Sequence, residues 1–211
     1  MKVFWAPQTR STRAVWMLEE AAIDYDMELV DLRSRDRKDS AEFLAASPMG
    51  KVPAISDGDA TMSESAAICI YIADRYCSGT LAPMLDDPLR GKFLYWTFFT
   101  PAVVEPAMAE KYSEVEPNKS RNGWGDFDLM IKTFDDGLEG NEWILSDNFT
   151  AADVMLGSSA VFMRMFEMLP DNRNIGAYAD RCLARPAFQQ AAEKNGWISR
   201  RWVEVGMGTP R

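Results

Sequence analysis

Extended patterning is confined to the first 63 residues of this 211-residue chain, and that division constrains the fold more than any other feature. "KVFW" at residues 2–5 is a short apolar run closed by Ala6-Pro7, after which Ala14, Val15, Leu18, Ala21 and Ala22 recur at helical spacing. "MELVDL" at 27–32 restores an extended pattern, so strand, helix and strand predict an α/β unit opened by a parallel pair. Residues 33–46 turn from polar to apolar and predict a short irregular helix. "VPAI" and "ATM" flank Asp57-Gly58 as a hairpin, and Ile68, Ile72 and Tyr76 share one face of a helix over 65–76. The predicted order is β-α-β-α-β-β-α.

Residues 77–88, "CSGTLAPMLDDP", carry the proline and glycine of an interdomain connection, and no convincing strand follows them. The expected division is a first domain over 1–78, a linker over 79–88 and an all-helical domain over 89–211. Helices are predicted over 89–112, bent at Pro101 and Pro106, then over 124–139, from Thr150 onward, and over 175–194. The tail from Trp197 to Arg211 receives no assignment. Thr150 with Asp153 at N3 forms a short-armed capping box, and Phe149 with Val154 fits the hydrophobic staple.

Composition narrows the chemistry. An apolar content of 47% supports a sizeable core, while a formal net charge of −9 argues against nucleic acid or an anionic membrane as the main partner. Residues 1–24 lack a basic n-region with an apolar core, and no apolar run approaches the roughly 20 residues that span a bilayer, so a cytoplasmic location is expected. Cys69, Cys77 and Cys182 form no CxxC and read as reduced thiols. The chain has no histidine, which removes imidazole-ligated metal and Ser-His-Asp catalysis and leaves no expected metal site.

"SPMGKVPAISDGDATMSES" at 47–65 places a proline where a strand should run. Proline removes a ladder donor and belongs at an edge or bulge; a cis Val52–Pro53 bond would resolve the conflict by turning the chain just before the strand. Glu64-Ser65 then opens the next helix, where free N–H groups and the dipole favour a carboxylate. Ser65 offers a hydroxyl donor and Glu64 an acceptor for an ammonium, a combination suited to an α-amino acid head group. The same residues also suit ordinary helix capping.

With "TRSTRAVWMLEE" after the first strand, "SPMGKVP", "MSESAAICIYIADRY" and "FTAADV" in this order, nearly the whole chain resembles the cytosolic glutathione S-transferase family. The resemblance is to its bacterial type, using a serine or threonine hydroxyl rather than a cysteine. It implies a thioredoxin-like α/β N-terminal domain, an all-α C-terminal domain, a homodimer, and glutathione as co-substrate with no prosthetic group. Carried over to these positions, Val52 and Pro53 face the cysteinyl part, Lys51 the glycyl end, and Glu64 and Ser65 the γ-glutamyl head. Arg33, Arg35, Arg37 and Lys38 flank the glycyl carboxylate, with Lys38 the preferred contact, though interleaved Asp31, Asp36 and Asp39 equally suit a solvated face. Met108, Tyr112, Phe162, Met163 and Phe166 are the expected electrophile-pocket residues of the helical domain; at helical spacing they also suit plain core.

Catalysis in such a family depends on ionising the bound thiol. A cysteine-like thiol with pKa near 8.5 is only about 3% thiolate at pH 7, and lowering it by about two units requires about 2.7 kcal/mol. A hydroxyl aimed at sulfur, helped by the first helix N-terminus, can supply much of this. The family spacing back from Arg13 lands on Thr9, and Ser11 is the competing hydroxyl. The family's cysteine-dependent branches place a thiol in this loop, where this chain has none; Cys69 reads as core. Two functions follow: a detoxifying transferase attacking a small apolar electrophile, or a binding or regulatory protein with little or no turnover.

Overall fold

The computed structural model describes residues 1–34 and 36–196; Arg35 of the basic run and the unassigned tail, 197–211, lie outside the described residues. The described residues form two compact units, one of Met1–Tyr76 with residues 185–196, the other of Cys77–Ala184.

The first unit contains β1 (Lys2–Trp5), α1 (Ser11–Ala21), β2 (Asp26–Leu29), α2 (Ala41–Ala46), β3 (Ala54–Asp57), β4 (Ala60–Ser63) and α3 (Ser65–Tyr76), the order read from the sequence. The sheet runs β2-β1-β3-β4, with β1 and β2 parallel and the other pairs antiparallel. Its core includes Phe4, Val30, Phe43, Ala46 and Ala54, with the Phe4 and Phe43 rings 5.3 Å apart. Helix α1 is buried from Ser11 through Leu18. Burying each large side chain there, Trp16 or Leu18, contributes about 1.5–3 kcal/mol.

The sequence reading placed a single helix over 175–194 in the helical domain. The structure corrects this: α8 (Arg173–Ala184) ends and α9 (Pro186–Lys194) begins separately. Pro186 sits at the first helical position and holds Arg185 extended, at φ −70° and ψ 130°. Helix α9 packs on α1 in the first unit. Arg185 clasps Glu20 with both nitrogens, at 2.5 and 2.7 Å, Trp16 donates to the same carboxylate, and the Trp16 and Phe188 rings meet edge to face at 4.8 Å. Residues 185–196 therefore leave the helical domain to which sequence reasoning assigned them.

The second unit contains α4 (Arg90–Phe99), a π-helical turn (Thr100–Val104), α5 (Glu105–Tyr112), α6 (Phe127–Leu138), α7 (Ala151–Met165) and α8. The π turn contains Pro101 and ends two residues before Pro106, at the predicted bend: proline lacks the N–H that would continue the α-ladder, and Glu105 N bonds Thr100 O instead. The segment expected as a linker folds into this unit. Ala82 is buried, Gly79 N donates to Ala82 O, and Ala151 N donates to Leu81 O at 2.8 Å. Among the described residues no helix is long and apolar enough to cross a membrane.

The predicted capping of α7 is present and extends further than the sequence indicated. Asp153 accepts from Thr150 N (2.8 Å) and Thr150 Oγ1 (3.1 Å), and also from Ile144 N (2.8 Å) and Tyr178 Oη (2.9 Å). Burial pushes its carboxyl up to about 6, against the lowering by the bonds from Ile144, Thr150 and Tyr178. When protonated, Asp153 keeps both amide donors while a hydroxyl turns from donor to acceptor. A raised carboxyl stabilises the fold fully below its ordinary value and loses that contribution as pH rises through the folded value. Relative to Asp153→Asn, wild-type unfolding free energy should therefore fall by about 2 kcal/mol between pH 4 and pH 7. Urea unfolding across that range checks this, and parallel curves for the two proteins would contradict it. Asp153→Ala, which strands two buried amides, should cost about 3 kcal/mol or more.

Candidate functional site

The register of the sheet gathers the segments that the sequence singled out. Phe4 pairs with Ala54, Ala54 with Ser63, and Trp5 with Leu29. The chain leaving β1 toward Thr9, the chain entering β3 through Val52 and Pro53, the chain leaving β4 through Glu64 and Ser65, and the loop after β2 that carries Lys38 all emerge at one end of the sheet. Strands lie about 4.8 Å apart, so the ends of β1, β3 and β4 span roughly 10 Å.

In the first of these segments Thr9 is half-buried and its hydroxyl is engaged locally. It lies 2.7 Å from Ala6 O and 2.9 Å from Ser11 Oγ, and accepts from Ser11 N at 3.2 Å. The single Thr9 proton serves one of these two acceptors at a time. Ser11 is fully buried, and its Oγ accepts from Ala6 N at 3.3 Å. The two candidate hydroxyls thus differ in access: Thr9 borders solvent and Ser11 braces the loop beneath it. Gln8 adopts φ 58°, the left-handed region that non-glycine residues enter at a cost.

The second segment is a braced turn. Ser47 is buried, its hydroxyl donates to Lys51 O at 2.7 Å and accepts from Lys51 N at 2.9 Å, and Gly50 takes φ 62°. Ser47 is a bracing residue that composition and periodicity do not single out; the Ser-Pro-x-Gly turn chemistry is the signal that points to it. The Val52–Pro53 peptide is cis, and the Val52 side chain packs against the Phe4 and Phe43 core. Arg37 reaches across to this turn, contacting Gly50 O at 2.9 Å and Asp39 at 2.6 Å. It ties two loops together. Lys38 and Lys51 are exposed, and among the described residues neither ammonium has an ion pair or hydrogen bond.

The third segment places Glu64, exposed and at φ 74°, directly before α3, with Glu64 O accepting from Ile68 N at 3.0 Å. Ser65 opens the helix and is nearly buried, at 8% exposure. Two non-glycine left-handed residues, Gln8 and Glu64, therefore sit at this end of the sheet. Cys69 is fully buried and its thiol is pushed up to about 12 by burial, with the Arg13 charge opposing, so it is a core residue as expected.

In the second unit, Tyr112 and Phe166 are exposed and their rings lie 6.3 Å apart, while Met108 and Phe162 are half-buried. Met163 is fully enclosed in the helical core. Arg164 in α7 binds Asp180 at 2.6 Å and Gly176 O at 2.7 Å.

Residues 9–75 match the family model of the glutathione S-transferase N-terminal domain, a span that includes Thr9, Lys38, Val52, Pro53, Glu64 and Ser65. Glutathione S-transferase hmp2 of Hypomyces subiculosus is 30% identical over 74% of this chain and 79% of its own. A glutathione transferase from Methylococcus capsulatus superposes with a TM-score of 0.79 at 28% identity, covering 93% of this chain and 99% of that one. A sphingomonad glutathione S-transferase crystallised with glutathione superposes with a TM-score of 0.75 at 26% identity over 93% and 99% of the two chains. With the thioredoxin-like sheet and helical unit described above, these matches identify the chain as a member of the cytosolic glutathione S-transferase family, enzymes that use glutathione as co-substrate.

Proposed function

We propose that this transferase binds glutathione across the end of its sheet, ionises the thiol with the Thr9 hydroxyl, and delivers the thiolate to a small apolar electrophile. The gathering of three segments, at the ends of β1, β3 and β4, set by the pairing of Phe4 with Ala54 and of Ala54 with Ser63, is the observation that carries this reading. Its span of roughly 10 Å matches the reach of an extended tripeptide.

The assignments follow from what each residue exposes. Val52, anchored in the core by its side chain and followed by Pro53, offers its backbone to the cysteinyl part. Ser65, at the first position of a 12-residue helix, presents hydroxyl and N–H donors to the γ-glutamyl carboxylate, and exposed Glu64 takes the ammonium. Lys38 and Lys51 supply positive charge for the glycyl carboxylate, which Arg37, committed to Asp39 and Gly50, does not. An overall net charge of −9 is no obstacle to an anionic peptide when local lysines face it.

Thr9 is favoured over Ser11 by access. To serve the sulfur, its proton must leave Ala6 O or Ser11 Oγ, exchanging a neutral acceptor for a thiolate. The charge-assisted bond is about twice as strong as a neutral one, which makes the exchange favourable. The exposed Tyr112 and Phe166 pair, with Met108 and Phe162, supports an apolar surface for the electrophile. Met163, fully buried, does not line that surface. The same reading takes the protein to be a cytoplasmic homodimer, as the family resemblance implies.

Thr9→Ala should lower kcat/KM with a simple aryl electrophile by roughly 10–100-fold while Thr9→Ser retains most of it. Unchanged turnover in both Thr9→Ala and Ser11→Ala would remove a hydroxyl from the mechanism. Lys38→Ala and Lys51→Ala should raise KM for glutathione roughly 3–10-fold and leave kcat near wild type. A fall in kcat at constant KM would contradict their place on the glycyl carboxylate.

A further inference from the structure

The loop that carries Thr9 is gripped by a residue far away in sequence. Asn195, just after α9, is fully buried, and its Nδ2 donates to Thr12 Oγ1. Thr12 Oγ1 in turn donates to Thr9 O at 3.1 Å, beside the Thr12 N–H, which lies 3.3 Å from the same oxygen. A hydroxyl has one proton, and an amide donating to its lone pair leaves that proton for the Thr9 carbonyl. The next residue, Gly196, lies against the start of the loop: a Cβ there would stand 3.8 Å from Cβ of Pro7. The turn that ends α9 thus lies beside the Thr9 loop at Pro7 and bonds the first turn of α1 at Thr12.

This contact is not needed to dock α9. The paired bonds from Arg185 to Glu20, the Trp16–Phe188 ring contact and the ion pair between Lys194 and Glu19 at 2.5 Å already hold the helix on α1. Among the described residues the buried Oδ1 of Asn195 has no hydrogen-bond partner. A half-satisfied buried amide destabilises a fold, so packing alone is better served by an apolar side chain.

We propose that Asn195 is a positioning residue for thiol activation: acting through Thr12, it fixes the Thr9 peptide and so aims the Thr9 hydroxyl at the sulfur of glutathione. This rests on the reading of Thr9 as the activating hydroxyl. Asn195 does not touch substrate. Its role is to keep the hydroxyl in one place, as groups behind a reactive side chain do when their rotamers are locked by packing and hydrogen bonds.

The test is the ultraviolet thiolate absorbance of bound glutathione against pH, together with kcat, KM and thermal unfolding, in six proteins. These are wild type, Asn195→Ala, Thr12→Val, Thr9→Ala, the Asn195→Ala/Thr9→Ala double variant and Arg185→Ala. Asn195→Ala and Thr12→Val should each raise the pKa of the bound thiol by roughly half a unit to one unit, and so lower kcat at pH 6 about 3–10-fold, with KM for glutathione nearly unchanged. In the Thr9→Ala background, Asn195→Ala should add no further rise. Arg185→Ala should lower the unfolding temperature and leave the thiol pKa where it is. Thr12→Val carries the test if Asn195→Ala does not fold. A rise in Thr9→Ala alone, with none in Asn195→Ala or Thr12→Val, overturns the positioning role and leaves the reading of Thr9 standing. No rise in Thr9→Ala overturns both, and an equal rise in Arg185→Ala assigns the effect to loosening of α9 and overturns the proposal.

Discussion

The pairing of β3 with both β1 and β4 is the constraint on which the rest depends. Because Ala54 faces Phe4 on one side and Ser63 on the other, the start of β3 lies level with the ends of its two neighbours. A shift of one residue would turn every side chain of β3 to the opposite face and remove Ala54 from the core around Phe4, Phe43 and Val30. The core therefore enforces the register. The register in turn places a backbone segment, a helix N-terminus and a hydroxyl-bearing loop side by side.

Those three neighbours have complementary chemistry. Backbone edges recognise a peptide by shape, a helix N-terminus stabilises a carboxylate, and a hydroxyl donor stabilises a thiolate. None requires imidazole or metal, in keeping with a chain that contains no histidine. Left-handed backbone at Gln8 and Glu64 falls in two of the three segments, where a local cost is offset by the surrounding sheet and helices. The bracing behind them is polar and buried: Ser47 beneath Lys51, Ser11 beneath Thr9, and Thr12 with Asn195 behind the Thr9 carbonyl.

Local signals made most of this legible in the sequence. The element order of the first unit, the hairpin at Asp57-Gly58, the proline before β3 and the capping of α7 all rest on interactions within a few residues, and each is present. What escaped reading depends on long-range contact. Helix α9 was assigned to the helical domain because its apolar spacing looks the same whichever unit it covers; Arg185 and Phe188 meet Glu20 and Trp16 only once the chain has folded. Arg37 stood in a run of alternating charges, and only the approach of Gly50 O shows it to be a tie between loops rather than a solvated cation. Family spacing back from Arg13 favours Thr9 over Ser11, but both are small hydroxyl residues beside a helix start, and spacing says nothing of their access. Burial separates them.

Calorimetry with glutathione at pH 7, run in two buffers of different ionisation enthalpy, tests the central claim most directly because it reads binding and ionisation together. If the sheet end grips the peptide and brings its thiol to a pKa near 6.5, association at or below millimolar concentration should release roughly 0.7 proton per site. No heat of binding at millimolar glutathione, or binding whose enthalpy is the same in both buffers, would contradict it.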